Sequence, residues 1–338
     1  MSVAPQPRFD HLLHMSDGRG TFEHAKLTEP RPEHGYCTDD MARVLVVSTR
    51  ESHPGPAITG LIELSLRFLG DAQGLDGDSR NRMSRRGRWE DRPTLEDCWG
   101  RSVWALGTAA AHAEADWMRQ VAVAQFERAA RRRSPWRRAM AFAGLGAAEL
   151  LAAKPEHREA RALLAASGDM LQNVADNVMW PWPEPTLTYA NAVIPEAMIA
   201  AGSLLGRPVL LRQGLHLLGW LLEHETIDGH LSVTPASGSG PGAPRPAFDQ
   251  QPIEVAALAD ACARAALVDG ANPAWASGVA KAVAWFLGDN DGSHVMWDPT
   301  TGGGFDGLEA GDVNRNQGTE STLALIATLQ HARHLVSA

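Results

Sequence analysis

The sequence is poor in the residues that build disulfide frameworks and metal sites. Its 338 residues include three cysteines, which lie too far apart along the chain for a Cys-x-x-Cys zinc motif or a dense disulfide framework. The 13 histidines form no HExxH motif, and no pair of them at helical spacing marks a metal site. A P-loop motif, GxxxxGK[ST], is missing as well. We therefore expect no metal site and no cofactor.

Long hydrophobic runs and an excess of positive charge are also missing. The most apolar stretch, roughly residues 139–153, contains Glu149 and is shorter than the ~20 residues that span a bilayer. The first ten residues contain no apolar segment of the kind that a secretory signal needs. The formal net charge of −9 disfavours a nucleic-acid partner, because phosphate binding requires a positive field. We therefore expect a cytoplasmic protein that binds neither membranes nor nucleic acid.

Tyrosine and phenylalanine are scarce, whereas tryptophan is abundant. The chain has 2 Tyr and 8 Phe against 11 Trp. Tryptophan is large and flat, so an excess of it indicates either awkward core packing or a surface that stacks on ring-shaped ligands.

From about residue 36 onward, apolar positions recur at helical spacing, and two kinds of helix alternate. The first kind is rich in small residues and apolar nearly all round; it covers residues 36–49, 95–113, 136–153, 194–205, 253–268 and 318–335. The second is amphipathic and covers residues 59–72, 115–132, 156–177, 208–225 and 274–287. A helix that is apolar on all sides must be surrounded by others, and a striped helix faces solvent. The alternation predicts an all-α fold, an (α/α)6 toroid.

The chain is expected to form one toroid with a short N-terminal addition. Residues 11–25 alternate apolar and polar around a turn at residues 17–20, which predicts a short β-hairpin. We therefore assign residues 1–35 to a hairpin segment packed on the barrel and residues 36–338 to a single toroid domain. Long loops precede several inner helices and enter them at their N-terminal ends, so they should converge on one mouth.

Dense polar clusters stand at the N-terminal ends of five of the six predicted inner helices. Any single acid there has a structural explanation, since the helix dipole stabilises it and Thr94 with Asp97 resembles a capping box. The third inner helix is the exception, because residues 134–136 begin it without an acid, an amide or a tyrosine. Capping therefore does not require the clusters. As a group, they predict a site that binds the hydroxyl groups of a sugar.

Paired carboxylates across the mouth suit the cleavage of a glycosidic bond, by hydrolysis or phosphorolysis. Burial beside a like charge would raise the pKa of one carboxyl and keep it protonated near neutral pH. The sequence leaves several assignments open: a general acid from Glu96, Asp97 or Glu184, and a base or nucleophile from Asp39, Asp40 or Asp249.

Other polar and aromatic residues of the clusters and mouth loops are expected to bind the substrate. Amides and charged groups would hydrogen-bond hydroxyl groups, and aromatic rings would stack on sugar faces. These candidates are His34, Tyr36, Trp89, Arg101, Trp180, Trp182, Tyr189, Asn191, Gln250, Gln251, Glu254, Asn316 and Glu320. The expected partner is an oligo- or polysaccharide.

Five ordered segments of the chain also resemble a known bacterial family. They are residues 34–40, 96–101, 189–191, 248–254 and 316–320. The family consists of (α/α)6-barrel proteins of the six-hairpin glycosidase superfamily, whose members are often labelled glycosyltransferase or glycosidase-like. The resemblance implies the toroid fold and a ligand site at its mouth.

Three functions remain open from the sequence. The first is a glycoside-cleaving enzyme, as above. The second is a polysaccharide lyase, in which Tyr189 or Tyr36 is the base and Asn191, His34 and Arg101 neutralise a uronate carboxylate. The third is a non-catalytic glycan-binding module of a glycosyltransferase pathway. A sugar epimerase is disfavoured, since it would need two histidines across the cavity and only His34 lies at a helix opening.

Overall fold

The computed structural model describes residues 4–172 and 179–336, and within these ranges six largely buried helices form an inner ring. They are α2 (Thr38–Thr49), α4 (Asp97–His112), α6 (Arg137–Ala153), α8 (Val193–Leu204), α10 (Pro252–Val268) and α12 (Thr319–Val336). Each inner helix packs on the next, and α12 packs on α2, so the ring closes. This architecture confirms the predicted all-α toroid.

Amphipathic helices cover the outside of the ring. They are α3 (Pro56–Ala72), α5 (Asp116–Ala129), α7 (Arg158–Leu171), α9 (Pro208–His224) and α11 (Pro273–Phe286). A short helix, α1 (Asp10–His14), packs on α12. Phe9 and Leu12 join a buried apolar cluster with Val44, Leu61 and Ile326, from α2, α3 and α12. The N-terminal segment therefore covers the ring where the first and last inner helices meet.

The small residues of the inner helices allow their backbones to approach closely. A Cβ atom added at Gly107 of α4 would lie 2.0 Å from the carbonyl oxygen of Gly146 on α6. A Cβ atom at Gly146 would lie 2.1 Å from the carbonyl oxygen of Val103. Glycine is therefore required at this crossing, because no side chain can be accommodated.

The described part of the chain also contains four short pairs of antiparallel strands. They are β1 (Ala25–Lys26) with β2 (Glu29–Pro30), β3 (Tyr36–Cys37) with β4 (Arg82–Met83), β5 (Thr226–Ile227) with β6 (His230–Leu231), and β7 (Gly307–Glu309) with β8 (Asp312–Asn314). A 3-10 turn, Pro32–His34, precedes β3. The pairing of β3 with β4 joins the start of α2 to the long loop before α4.

The N-terminal hairpin exists, but its predicted position at residues 11–25 is wrong in part. Its first half is the helix α1, because His11 and Leu12 are adjacent and both buried, which an alternating strand does not allow. The turn at residues 17–20 is present, flanked by a bridge between Ser16 and Thr21, and the hairpin itself is β1–β2.

The remaining helix predictions differ from the structure mainly at their ends. Of the outer helix predicted at residues 156–177, α7 ends at Leu171, and residues 173–177 lie outside the described residues. Among the helices of the described ranges, none combines the length and the apolar composition that crossing a membrane requires.

Candidate active site

A cavity of about 530 Å³ lies where the N-terminal ends of the inner helices α2, α4, α10 and α12 converge. We call it the mouth cavity. Its lining is mostly polar and comes from those helix starts, from the N-terminal segment, and from the loops before α8, α10 and α12. The lining residues are Glu23, His24, Cys37, Asp39, Asp40, Arg43, Asp97, Arg101, Tyr189, Gln251, Ile253, Asp306, Asn314, Gly318, Glu320 and Ser321.

A second cavity of about 390 Å³, the side cavity, lies over the starts of α4 and α6. It shares Asp39, Asp97 and Tyr189 with the mouth cavity. Its other lining residues are Asn81, Glu96, Cys98, Trp136, Arg137, Arg138 and Glu184. Because three residues line both cavities, the two adjoin, with two carboxylates at the junction, and we call them together the cleft.

Asp97 keeps a carboxylate oxygen without a partner at this junction. The Oδ2 atom of Asp97 is buried and accepts no hydrogen bond from the described residues. Burial raises the pKa of Asp97 and the neighbouring Asp39 adds to the rise, against the opposing charge of Arg101. The expected capping box is wrong: α4 begins at Asp97, and the Thr94 hydroxyl bonds Glu96 instead. Asp97 is thus not occupied by capping its own helix.

Asp39 has a charged neighbour at the same point. Its Oδ1 atom lies 3.4 Å from the Nε atom of Arg101, a guanidinium that is almost fully buried. The Arg101 guanidinium also packs 4.1 Å from the ring centre of Phe142. The Arg101 guanidinium thus has two neighbours, the Phe142 ring and the Asp39 carboxylate, and it gives Asp39 a partner of opposite charge.

The floor of the mouth cavity is an ion-pair chain centred on Arg43. Arg43 donates to Asp40 Oδ1 at 2.7 Å and to Glu320 Oε2 at 2.6 Å, and Asp40 Oδ2 accepts a bond from the Cys37 thiol at 3.1 Å. Burial raises the pKa of Asp40 to about 6. For Glu320, burial acts in the same direction, but Arg43 and Arg101 outweigh it, so its pKa lies below the ordinary value. Both carboxylates are held by guanidinium groups.

The two ends of the chain build one wall of the mouth together. The Thr319 hydroxyl donates to the carbonyl of Phe22 at 2.6 Å, and the Thr319 amide donates to the carbonyl of Glu23. The amide of Leu27 donates to Asn316 Oδ1 at 2.8 Å. These bonds place the N-terminal segment against the start of α12, which brings Glu23 to the cavity.

Several lining residues were missed by the sequence reasoning, above all Glu23, His24, Arg43, Asp306 and Asn314. Asp306 lies in the long loop before α12. Its Oδ1 atom accepts hydrogen bonds from the Gly318 amide and the Ser321 hydroxyl, at 2.8 Å each. Burial raises the pKa of Asp306. Hydrophobic periodicity gives no information on such loop residues. Arg43 was also missed, although the sequence contains a signal for it: Arg43 lies one helical turn after Asp39, so both side chains lie on the same face of α2.

Tyr189 is held at the junction by Arg138. The Arg138 guanidinium lies 5.2 Å from the ring centre of Tyr189, and its Nε atom donates to the Tyr189 carbonyl at 2.7 Å. Arg138 also binds both oxygens of Glu184, at 2.9 and 2.8 Å, and donates to Asn191. Glu184 therefore neutralises Arg138, and the network fixes the loop that carries Tyr189.

Three predicted substrate-binding residues are buried, bonded within the fold and outside the lining of both cavities, so their predicted role stays a prediction. Glu254 and Asn191 are buried, and Glu254 Oε2 accepts bonds from the Asn191 amide at 3.1 Å and its side chain at 3.0 Å. Burial and the neighbouring Glu225 raise the pKa of Glu254 to about 8. Gln250 is fully buried and donates to Asp291 at 2.6 Å.

Three aromatic residues predicted to contact the substrate are buried as well. The hydroxyl of Tyr36 donates to Asp17 at 2.7 Å, and its ring, 1% exposed, stacks on Phe22. Trp180 and Trp182 are buried against Trp220, with ring centres 5.2 and 6.2 Å from it. All three rings are part of the core, and none of them lines the mouth cavity or the side cavity.

Four more predicted residues lie outside the lining of both cavities. Asp249 is exposed, and Trp89 packs edge-on against Phe68. Asn316 binds the N-terminal segment, as described above, and His34 stands edge-on to His24 with ring centres 4.9 Å apart. The other predicted residues do come together in the cleft; their roles stay predictions. They are Asp39, Asp40, Glu96, Asp97, Arg101, Glu184, Tyr189, Gln251 and Glu320.

One cluster at the mouth has the atoms that could ligate a metal ion. A Glu23 carboxylate oxygen, the Cys37 sulfur and an Asp40 oxygen all lie within 4.8 Å of one another. However, Arg82 pairs with Glu23 and Arg43 pairs with Asp40, so both carboxylates already have cationic partners. The expectation of no metal site stays a prediction.

A closed ring of inner helices, an outer layer and a polar cleft at one mouth define an (α/α)6 toroid. Solved structures share this architecture. A cellobiose 2-epimerase from Spirochaeta thermophila superposes with a TM-score of 0.67 and 14% identity, over 96% of this chain and 93% of that chain.

Two further structures extend the comparison. A sugar epimerase from a ruminal bacterium gives a TM-score of 0.71 at 11% identity, covering 96% of this chain and 95% of that chain. The α-1,6-mannanase GH76A from Salegentibacter gives 0.62 at 13% identity, with coverages of 96% and 95%. At such low identity these likenesses establish the fold alone. No protein-family model and no curated protein matches the chain.

Proposed function

We propose that this chain is a carbohydrate-active enzyme that cleaves a glycosidic bond at the junction of the mouth and side cavities. The observation that carries the proposal is the pair Asp39 and Asp97. The two carboxylates stand on neighbouring inner helices and line both cavities, and each has a buried oxygen without a hydrogen-bond partner among the described residues. Their surroundings differ in that Asp39 lies 3.4 Å from the Arg101 guanidinium, whereas burial is the largest influence on Asp97 and raises its pKa. Two carboxyl groups in unlike environments are what acid–base cleavage of a glycoside requires.

Asp97 is the general acid of this mechanism. Its raised pKa keeps it protonated to higher pH than an ordinary aspartate, and its unpartnered Oδ2 atom can carry the proton. Asp97 donates that proton to the glycosidic oxygen as the bond to the anomeric carbon breaks. The leaving sugar thus departs as an alcohol.

Asp39 serves as the base or nucleophile. It either removes a proton from the water that attacks the anomeric carbon, or attacks that carbon itself and is released by water in a second step. In both routes one water molecule is consumed and its hydroxyl group ends on the anomeric carbon. Asp40 and Glu184 are less suited to either role, because guanidinium groups donate hydrogen bonds to both of them at 2.7–2.9 Å. Arg101 lies farther from Asp39, at 3.4 Å, and the Oδ1 atom of Asp39 accepts no hydrogen bond from the described residues.

The solved structures support a sugar ligand without selecting the reaction. Two are described as epimerases and one as a mannanase. An epimerase with two histidines on opposite sides of its cavity is disfavoured here. Among the described residues, His24 lines the mouth cavity and His34 stands next to it, both on the N-terminal segment.

The polysaccharide-lyase alternative loses part of its support. Tyr36 is buried, which leaves Tyr189 as the base. A uronate carboxylate would need a cationic group, but Arg43, Arg101 and Arg138 are each paired with a carboxylate of the cleft. The non-catalytic module remains the alternative to an enzyme.

The test is a panel of oligosaccharides assayed for both binding and products. We expect the wild type to release shorter sugars, and Asp97→Asn to lower kcat at least a hundredfold while binding persists, because general acid catalysis contributes about 10²–10⁴ in rate. The wild-type rate should also fall on the alkaline side, where Asp97 loses its proton. Asp71→Asn, an exposed carboxylate on the outer helix α3, is the matched control.

Each alternative outcome has a distinct signature. Binding without any product would favour the non-catalytic module. A product with ultraviolet absorbance from an unsaturated ring would favour the lyase, and a product of unchanged mass would favour an epimerase. Full activity of Asp97→Asn would overturn the assignment of the acid.

A further inference from the structure

The side cavity contains groups that the proposed chemistry does not use. Trp136 stands at the start of α6, lines this cavity and is 59% exposed, which is unusual for so large an apolar ring. Arg137 and Asn81 line the same cavity. No sequence pattern indicates a ligand here, since residues 134–136 have none of the acids, amides or tyrosines of the other helix openings.

The backbone that carries Trp136 is fixed to the neighbouring inner helix. The Ser134 hydroxyl accepts a bond from the Trp136 amide at 3.1 Å and donates to the Leu95 carbonyl at 2.6 Å. Leu95 lies two residues before the start of α4. The backbone at Trp136 is therefore anchored to the segment that leads into α4, whose first residue, Asp97, lines the same cavity.

The charges around the side cavity favour a neutral ligand. Four carboxylates and two guanidinium groups line it. The carboxylates are those of Asp39, Glu96, Asp97 and Glu184, and the guanidinium groups are those of Arg137 and Arg138. Arg138 is moreover neutralised by the two-point bond to Glu184. An anionic chain would meet net negative charge here, whereas hydroxyl groups can hydrogen-bond to carboxylates and amides.

We propose that the side cavity is a second arm of the cleft, which binds further residues of a neutral oligosaccharide with Trp136 as a stacking platform. A sugar presents an apolar C–H face that stacks on an indole, and a polar rim that bonds the surrounding side chains. Tyr189 lines both the mouth cavity and the side cavity, and Arg138 packs on its ring, so its ring lies where the two arms meet. The inference rests on the proposed function for the nature of the ligand, but not for its cleavage.

The test uses two ladders of neutral oligosaccharides, two to six units long, one from β-1,4-glucan and one from α-1,6-mannan. Their dissociation constants are measured by calorimetry in an Asp97→Asn background, in which the ligand should not be cleaved, for the otherwise wild-type chain, Trp136→Ala and Trp136→Phe; cleavage is assayed separately with Asp97 present. The matched control is Trp117→Ala, because Trp117 is a similarly exposed indole, 50%, on the outer helix α5. Unfolding temperatures of all variants verify that they are folded.

The expected result depends on chain length. In one ladder the wild type should gain affinity with length, Trp136→Ala should lose about tenfold for the longer members and nothing for the disaccharide, and Trp136→Phe should recover part of the loss. Trp117→Ala should match the wild type throughout. An oligogalacturonate ladder should not bind.

Three results would overturn the inference: equal constants for Trp136→Ala and Trp117→Ala, a loss that is the same at every length, or no binding of either neutral ladder. Length-dependent binding through Trp136 without cleavage would leave the inference standing and refute the proposed function. The two claims can therefore fail separately.

Discussion

Among single residues, the partners of each carboxylate decide which acids can do chemistry. Asp40 and Glu184 are bound by Arg43 and Arg138, whereas the Oδ2 atom of Asp97 has no partner among the described residues. The sequence placed all three at helix openings but could not rank them. Their ranking depends on guanidinium groups from other helices or turns, which no local pattern reveals.

A buried carboxyl away from the cleft makes the stability of the fold depend on pH. Glu225, at the end of α9, is 1% exposed, and its Oε1 atom accepts a bond from the Thr234 amide at 3.1 Å. Burial raises its pKa from 4.5 to about 7. A carboxyl whose pKa is raised by folding stabilises the protein below its unfolded pKa, and this contribution is lost as the pH rises through about 7.

We therefore expect Glu225→Gln to flatten the pH dependence of stability. Glutamine keeps the acceptor for Thr234 but does not ionise. Between pH 5 and pH 8.5 the wild type should lose on the order of 1 kcal/mol more free energy of unfolding than the variant, as measured by urea titration. Glu223→Gln, at an exposed site on the same helix, should follow the wild type. Identical pH curves for the wild type and Glu225→Gln would refute the prediction.

For whole helices, periodicity predicted the elements well but not the packing of their loops. The pattern placed the start of the fourth inner helix near residue 194 because of Pro195, and α8 begins at Val193. Trp180 and Trp182 were expected in a ligand site because they lie in a long loop. They are buried because Trp220, from α9, packs against both, a contact that no window of the sequence contains.

The close crossing of α4 and α6 gives a prediction for the inner ring. Gly146→Ala should destabilise the protein by about 2–3 kcal/mol, because its new methyl group would meet the Val103 carbonyl. Gly60→Ala is the control, since a Cβ atom there meets nothing within 4 Å on the exposed face of α3. It should be neutral or stabilise by up to about 1 kcal/mol. Equal unfolding free energies for the two variants would show that the helices do not approach so closely.

For the molecule as a whole, the alternation of buried and amphipathic helices was enough to predict a closed ring. It also predicted that the helix openings share one mouth, and Asp39, Asp97 and Glu320 do meet there. It did not predict which loops complete the cleft. Glu23 and Asp306 reach the mouth because the N-terminal segment and the loop before α12 are bonded to the start of α12, an arrangement that only the tertiary structure defines.

The central claim is that the ligand lies in this cleft with its scissile bond between Asp39 and Asp97. The most direct test is a crystal structure of Asp97→Asn with a bound oligosaccharide from the panel. The account predicts a glycosidic oxygen about 2.6–3.2 Å from the residue 97 side chain and a chain that continues past Tyr189 toward Trp136. A sugar bound only in the separate groove beside Trp297 and Arg315, with the mouth cavity empty, would contradict it.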